Sequence, residues 1–377
     1  MIAAIKNNLK NLIGWKTNKK IIVFSVDDYG NVRLDSAEAR KNLDDAGMKI
    51  HSRFDVFDTL ETREDLEMLF DSLSSVKDKN GNSAVLTAFA VPCNIDFELM
   101  QKEEFSEYHY ELLPVTFEKL TIKNSTAYQG AWQLWKEGLN EKIIIPQFHG
   151  REHLNLKVFN EKLINRDFEL LTNLKNRSFT NISSSGYQSI SYTAAFDFYK
   201  FEENKNFVSI IQDGTNAFEN VFGFRASHFT PPAYNIHSTN FSVLKDCGID
   251  FIDLAMFQKE HQGLNKYKHH FNYLGKQIDE NLLAIIRNVV FEPTDDRGID
   301  WIAYSLQQIE TAFLWKRPAI ISSHRVNFCG HIDAENRKIG IDALSQLLKE
   351  IVQRWPDVEF MAANELGNLI KQEKNIQ

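Results

Sequence analysis

The chain has 377 residues, with 43 Lys and Arg against 51 Asp and Glu, and its formal charge of −8 argues against a nucleic-acid binder working through a basic surface. Hydrophobic residues at 43%, charged residues at 25% and 28 phenylalanines describe a packed interior and exclude a disordered chain. Cys93, Cys247 and Cys329 are too few and too scattered for a disulfide scaffold, and no stretch reaches the roughly 18 apolar residues of a membrane span, so a soluble, cytoplasmic protein is expected.

The first residues lack the apolar core and small-residue cleavage site of a secretory leader. Ile2, Ile5, Leu9, Leu12 and Ile13 recur at helical spacing, so residues 1–19 are expected to form a helix packed on the main domain; a membrane-surface anchor is the lesser alternative, because basic residues are few. From residue 20 to 377, short apolar runs alternate with helical patterns, the signature of one parallel α/β domain with elaborated loops. Strands are predicted at 21–26, 84–91, 143–148, 221–224, 249–254, 284–291, 318–323 and 358–362. Thr62-Arg63-Glu64-Asp65 reads as a helix start followed by Leu66, Leu69, Phe70 and Leu73, and Ile341 to Val352 reads as an amphipathic helix stopping before Trp355-Pro356. The connection 92–142 is polar and aromatic. Its Trp132 and Trp135 either stack on a sugar ring or, in a helix 127–138, pack on the barrel wall. The segment 182–220, with Ser183-Ser184-Ser185-Gly186, reads as an irregular insertion.

In a parallel barrel, residues just past the C-terminal ends of strands share one mouth. Strand 21–26 ends in Asp27-Asp28, strand 143–148 in His149, strand 221–224 in Arg225 and strand 318–323 in His324. One carboxylate of an adjacent pair can ligate a metal while the other acts as a base, although an Asp pair is also a common solvated loop start, as at Asp44-Asp45 and Asp295-Asp296. His149 and His153 stand four apart, so on a helical turn both can reach one ion and leave coordination positions open. Arg225 is expected to hold a catalytic carboxylate in its charged form, its alternative being a surface ion pair. His228 lines the mouth or caps its loop, and His324 has the side chain best suited to protonating a leaving group near neutral pH.

This set resembles the polysaccharide deacetylase superfamily of metal-dependent carbohydrate esterases. Ser25-Val26-Asp27-Asp28 matches its first motif and His149-x-x-x-His153 its second. Its third, Arg-x-Pro-aromatic, which in the family lends a backbone amide to the oxyanion, is matched in part by Arg225, Pro231-Pro232 and Tyr234. The resemblance implies a distorted (β/α) barrel of seven or eight parallel strands. It implies Asp27 as general base, Asp28, His149 and His153 as ligands of a divalent metal, and His324 as general acid. Asp253, with Asp250 second, would tune that histidine, and Tyr234, His228 and Trp132 would contact the substrate. Zinc is the preferred metal, with cobalt, nickel or manganese also compatible.

The implied reaction is removal of an N- or O-linked acetyl group from a saccharide. Alternatives are a YdjC-like deacetylase of small acetylated sugars, which shares the Asp27-Asp28-Tyr29-Gly30 pattern, a glycosidase using a carboxylate pair, and a non-catalytic saccharide-binding relative.

Overall fold

In the computed structural model, residues 2–183 and 190–374 are described, with side chains from Asn7 onward. The serine-glycine segment is therefore outside the described residues from Ser184 on, as are the side chains of Ile2 and Ile5. Ten strands form one curled, open sheet. Along it lie Lys276–Asp279, Leu282–Ile285, Phe251–Asp253, His228–Phe229, Ile144–Phe148, Leu86–Ala90, Lys20–Tyr29, Ala319–His324 and Val289–Val290, while Val358–Phe360 pairs with Lys20–Tyr29 from the side. All pairings are parallel except that of Lys276–Asp279 with Leu282–Ile285. This is the expected distorted barrel, with more strands than predicted.

The period of two along each strand decides what enters the barrel. Ile21, Val23, Phe89, Phe251, Leu283, Ile285 and Ile320 form one inner cluster, plugged by Leu366 and Ile370 of the helix Ala363–Glu373. Ile22, Phe24, Val26 and Leu86 belong to the outer core, under the surrounding helices. Continuing the inner face of four strands by two or four residues leads to Asp27, Asp253, Arg287 and His324. The apolar plug occupies the end where strands begin, and the polar residues gather where they finish.

Several helices start and stop where expected. Thr62 and Asp65 make a reciprocal capping box on Arg63–Ser74, and Leu66, Leu69 and Leu73 are buried. Ala334–Arg354 buries Ile341, Leu344, Leu347, Leu348 and Ile351 and ends at Trp355. Within it, a Cβ on Gly340 would overlap the carbonyl oxygen of Asn327, in the turn Arg325–Phe328 directly after His324. Gly340→Ala is accordingly expected to destabilise by about 3 kcal/mol, near the upper end for overpacking, which thermal or denaturant unfolding would read.

Three expectations are corrected. The run 221–224 is not a strand. Phe218 and Phe222 lie on the buried face of a helix, Lys205–Phe222, which Gly223 ends at φ 81°, so much of 182–220 is helical too. The next strand is only His228–Phe229. The predicted strand 284–291 breaks into Leu282–Ile285 and Val289–Val290 around Arg287. On the first helix, Ile2–Asn11, the described side-chain contacts are polar. Asn7 and Asn11 are buried, Asn288 Nδ2 donates to Asn11 Oδ1 at 2.8 Å, and Arg317 donates to the carbonyls of Asn11, Leu12, Gly14 and Trp15, whereas Leu9, Leu12 and Ile13 are exposed. No described helix is long and apolar enough to cross a membrane.

Candidate active site

Strand alternation alone would send Asp27 inward and Asp28 outward. A bulge between Val26 and Tyr29 changes this, because the register to Leu86–Ala90 shifts and Asp28 takes φ 75°, a left-handed conformation that strains a non-glycine residue. Both carboxylates therefore reach one pocket. Asp28 Oδ1 lies 3.5 Å from His149 Nε2 and 3.2 Å from His153 Nε2, and the three potential ligand atoms are all within 4.8 Å of one another.

The chemistry of this set fits a divalent cation. His149 Nδ1 donates to the Thr230 carbonyl at 2.7 Å, which leaves Nε2 with its lone pair, buried and without a hydrogen-bond partner. Burial pushes the His153 imidazole down to about 3, so it is neutral and able to ligate. Burial opposes the charge of Asp28, yet its carboxyl is held well below the usual range, with the charge on His324 among the causes.

Asp27 is gripped at both oxygens by Arg287, with Nη1 to Oδ2 and Nη2 to Oδ1 each at 2.7 Å. The same guanidinium donates to Asp253 and Thr230 and lies over the Phe89 ring at 4.9 Å. Asp253 is fully buried; burial raises its pKa, but Arg287, His228 and Thr230 outweigh that and keep it ionised. Arg287 is thus the carboxylate holder that had been expected in Arg225. Arg225 instead projects into solvent and pairs with Glu219 at 2.9 Å, because the strand meant to carry it is the end of a helix. A signal for Arg287 was present in the sequence, as one guanidinium inside the apolar run Ala284 to Phe291.

His324 faces Asp27 in register on the neighbouring strand. Its Nδ1 bonds Glu292 Oε1 at 2.7 Å, and Phe54 packs edge-on against its ring. Burial works against the imidazolium, but Glu292 outweighs it and pushes the imidazole up to about 9. The partner expected for His324 was Asp253 or Asp250. Asp253 is occupied by Arg287 and His228, and Asp250 pairs with Lys371 at 3.1 Å. Glu292 lies two residues past the strand Val289–Val290 and directly past the predicted run 284–291, so the rule that singled out Asp27 and His324 applies to it too.

The pocket, of about 190 Å³, is lined by Asp27, Asp28, His149, His153 and His324 together with Arg33, Phe54, Thr193, Pro231 and Tyr234. Tyr234 therefore sits where a substrate-contacting residue was expected. Its backbone and that of Ala233 are both left-handed, at φ 55° and 56°, and its amide donates to the Pro231 carbonyl at 2.8 Å, so that amide is already engaged. His228 does not line the mouth; it is fully buried, with Nε2 on Asp253 at 3.1 Å. Trp132 is also elsewhere, stacked on Phe117 and packed against Trp135 and Phe222 on the barrel wall, because Ala131–Asn140 is a helix whose aromatic side faces the core.

No family model and no curated protein matches the sequence. Among solved structures, a protein from Parabacteroides distasonis assigned as a glycoside hydrolase/deacetylase superposes with a TM-score of 0.51 at 9% identity, over 95% of this chain and 72% of that one. The two share a fold. Proteins assigned as polysaccharide deacetylases from Pseudomonas aeruginosa PAO1 and Mycobacterium smegmatis give TM-scores of 0.47 and 0.46 at 9% and 11% identity, each over 96% of this chain and 94% of the other. The distorted barrel expected from the sequence is thus the fold found.

Proposed function

We propose that the chain is a metal-dependent hydrolase that removes an acetyl group, N- or O-linked, from a saccharide. The observation that carries this reading is one pocket joining an Asp-His-His cluster to a second carboxylate gripped at both oxygens by an arginine and to a histidine held protonated by a glutamate. Asp28, His149 and His153 would hold the divalent ion, zinc by preference. Bound there, such an ion supplies Lewis acidity to a carbonyl oxygen and lowers the pKa of water. Asp27 then has the role of proton acceptor for the attacking water, and the two Arg287 contacts fix its orientation. With Nδ1 committed to Glu292, His324 presents Nε2–H to the leaving amine or hydroxyl. Phe54, Pro231 and Tyr234 form the apolar part of the wall and exclude bulk water.

A glycosidase needs a carboxylic acid that stays protonated to help the leaving group depart. Neither carboxylate of the pair suits that role, since the carboxyl of Asp28 is held well below the usual range and both oxygens of Asp27 accept from Arg287. The deciding experiment combines elemental analysis with an acetate-release screen over acetylated saccharides, in wild type and Asp27→Asn. A metal stoichiometry near one in both, with turnover lowered about 10²–10⁴-fold in the variant, supports the proposal; undiminished acetate release by Asp27→Asn would sink it.

The Glu292–His324 pair also sets a pH dependence. A general acid works only while protonated, so activity falls as pH rises through its pKa. Removing the carboxylate lowers that pKa from about 9 toward the ordinary imidazole value near 6.5. Glu292→Gln is therefore expected to shift the alkaline limb of kcat to lower pH by about one to two units, and an unchanged limb would remove His324 from the acid role.

A further inference from the structure

Among the described residues, Arg33, the arginine lining the pocket, has few partners for its donors. Of its five N–H donors, the described residues engage one, from Nη2 to Tyr192 Oη at 3.3 Å. The nearest carboxylate, Asp55, is 3.8 Å away and is already occupied by the amides of His51 and Ser52 and by the Thr180 hydroxyl. Arg33 Nε is buried without any partner among the described residues, and the side chain is only 14% exposed. The other arginines near the site contrast sharply with it. Arg287 binds Asp27, Asp253 and Thr230, Arg325 binds Asp58 and Glu61, and Arg53 binds Glu292, Asn327 and Thr294.

Its position is nevertheless fixed. The amide of Val32 donates to Asn94 Oδ1 at 2.8 Å, the amide of Leu34 to the Asp58 carbonyl at 3.1 Å, and the Arg33 carbonyl accepts from Phe179 at 3.0 Å. The guanidinium lies over the Phe54 ring at 5.1 Å, with Arg53 near the same ring at 5.4 Å. A nearly buried cation with unused donors is costly unless something completes its shell. Asp28, the carboxylate that faces it across the pocket, is claimed by His149 and His153 and, in the function proposed above, by a cation.

We infer that Arg33 recognises an anionic group on the ligand, so that the saccharide accepted here carries a carboxylate or phosphate close to the reacting centre. A planar guanidinium matches either group through two parallel hydrogen bonds, and the charge makes each bond stronger than a neutral one. This deepens the hydrolase reading by naming a substrate class, and it rests on that reading only for the word substrate; the anion site stands on Arg33 itself.

The test uses ligand-observed NMR titrations of the zinc-loaded full chain with glucose, glucuronate, glucose 1-phosphate and glucose 6-phosphate, none of which has an acyl group to lose. At least one anionic sugar is expected to bind about ten-fold or more tighter than glucose. Arg33→Gln should bring that ratio to within about two-fold, and Arg33→Lys should keep part of it. The separate arms show whether carboxylate or phosphate is preferred, and either preference supports the inference. No preference in the wild type, no measurable binding of any anionic sugar, or a preference that survives Arg33→Gln would overturn it. Acetate release is measured separately. Anion preference without deacetylation removes the proposed reaction and leaves the site, whereas deacetylation without anion preference does the reverse.

Discussion

Replacing Arg287 by methionine is expected to cost both stability and turnover, and by more than any other single change at a residue holding no metal. Methionine has much of the aliphatic length of arginine, so packing on Phe89 is partly kept, while Asp27 and the fully buried Asp253 lose the cation between them. Truncating one partner of a buried ion pair strands the other charge at a cost of about 3–5 kcal/mol. Here two carboxylates are stranded, although His228 and Thr230 still serve Asp253. A denaturant melt should place Arg287→Met in that range or above. Adding Asp253→Asn should recover part of the stability, because it removes one of the two stranded charges. It should not recover turnover, since Asp27 would still lack the clamp that sets its direction. Full recovery of turnover in the double variant would show that Arg287 acts on folding alone.

His149→Ala is expected to reduce bound metal from about one equivalent to well under a tenth and to lower acetate release by roughly 10³-fold or more, since a three-ligand site deprived of one ligand loses most of its affinity. The fold should survive. The lost side chain makes one hydrogen bond among the described residues, to the Thr230 carbonyl. Elemental analysis, unfolding and acetate release on the same preparation separate these effects. Retained metal with lost activity would place the ion elsewhere, and Glu103, Glu107 and His109 form another group whose ligand atoms lie close together.

The polar end of the barrel was legible where a strand is long, apolar and followed at once by a charged or imidazole side chain. Asp27, Asp28, His149 and His324 all meet that condition, and the structure brings them into one pocket. His153 was legible from its spacing to His149, although the segment after Phe148 is a loop and not a helix, so proximity comes from the turn at Gly150, φ 97°, and not from helical periodicity. Arg225 was misplaced because the run Val221 to Phe224 is apolar enough for either a strand or the last turn of a buried helix, and only the packing of Phe218 and Phe222 against Phe148 and Trp135 settles which.

The sequence by itself therefore determined the class of fold and the identity of the groups that could ligate or ionise, because alternation along strands and the chemistry of side chains are local properties. Tertiary structure alone decided which charge partners which. Asp27 and Arg287 are 260 positions apart, His324 and Glu292 are 32 apart, and Asp253 serves Arg287 and not His324. Pairings of this kind depend on strand order across the sheet and on one bulge that turns Asp28 inward. The same holds for Arg33. In sequence it is one arginine after Tyr29-Gly30-Asn31-Val32, and only the folded chain shows that Asp55, 3.8 Å from it, already accepts from the amides of His51 and Ser52.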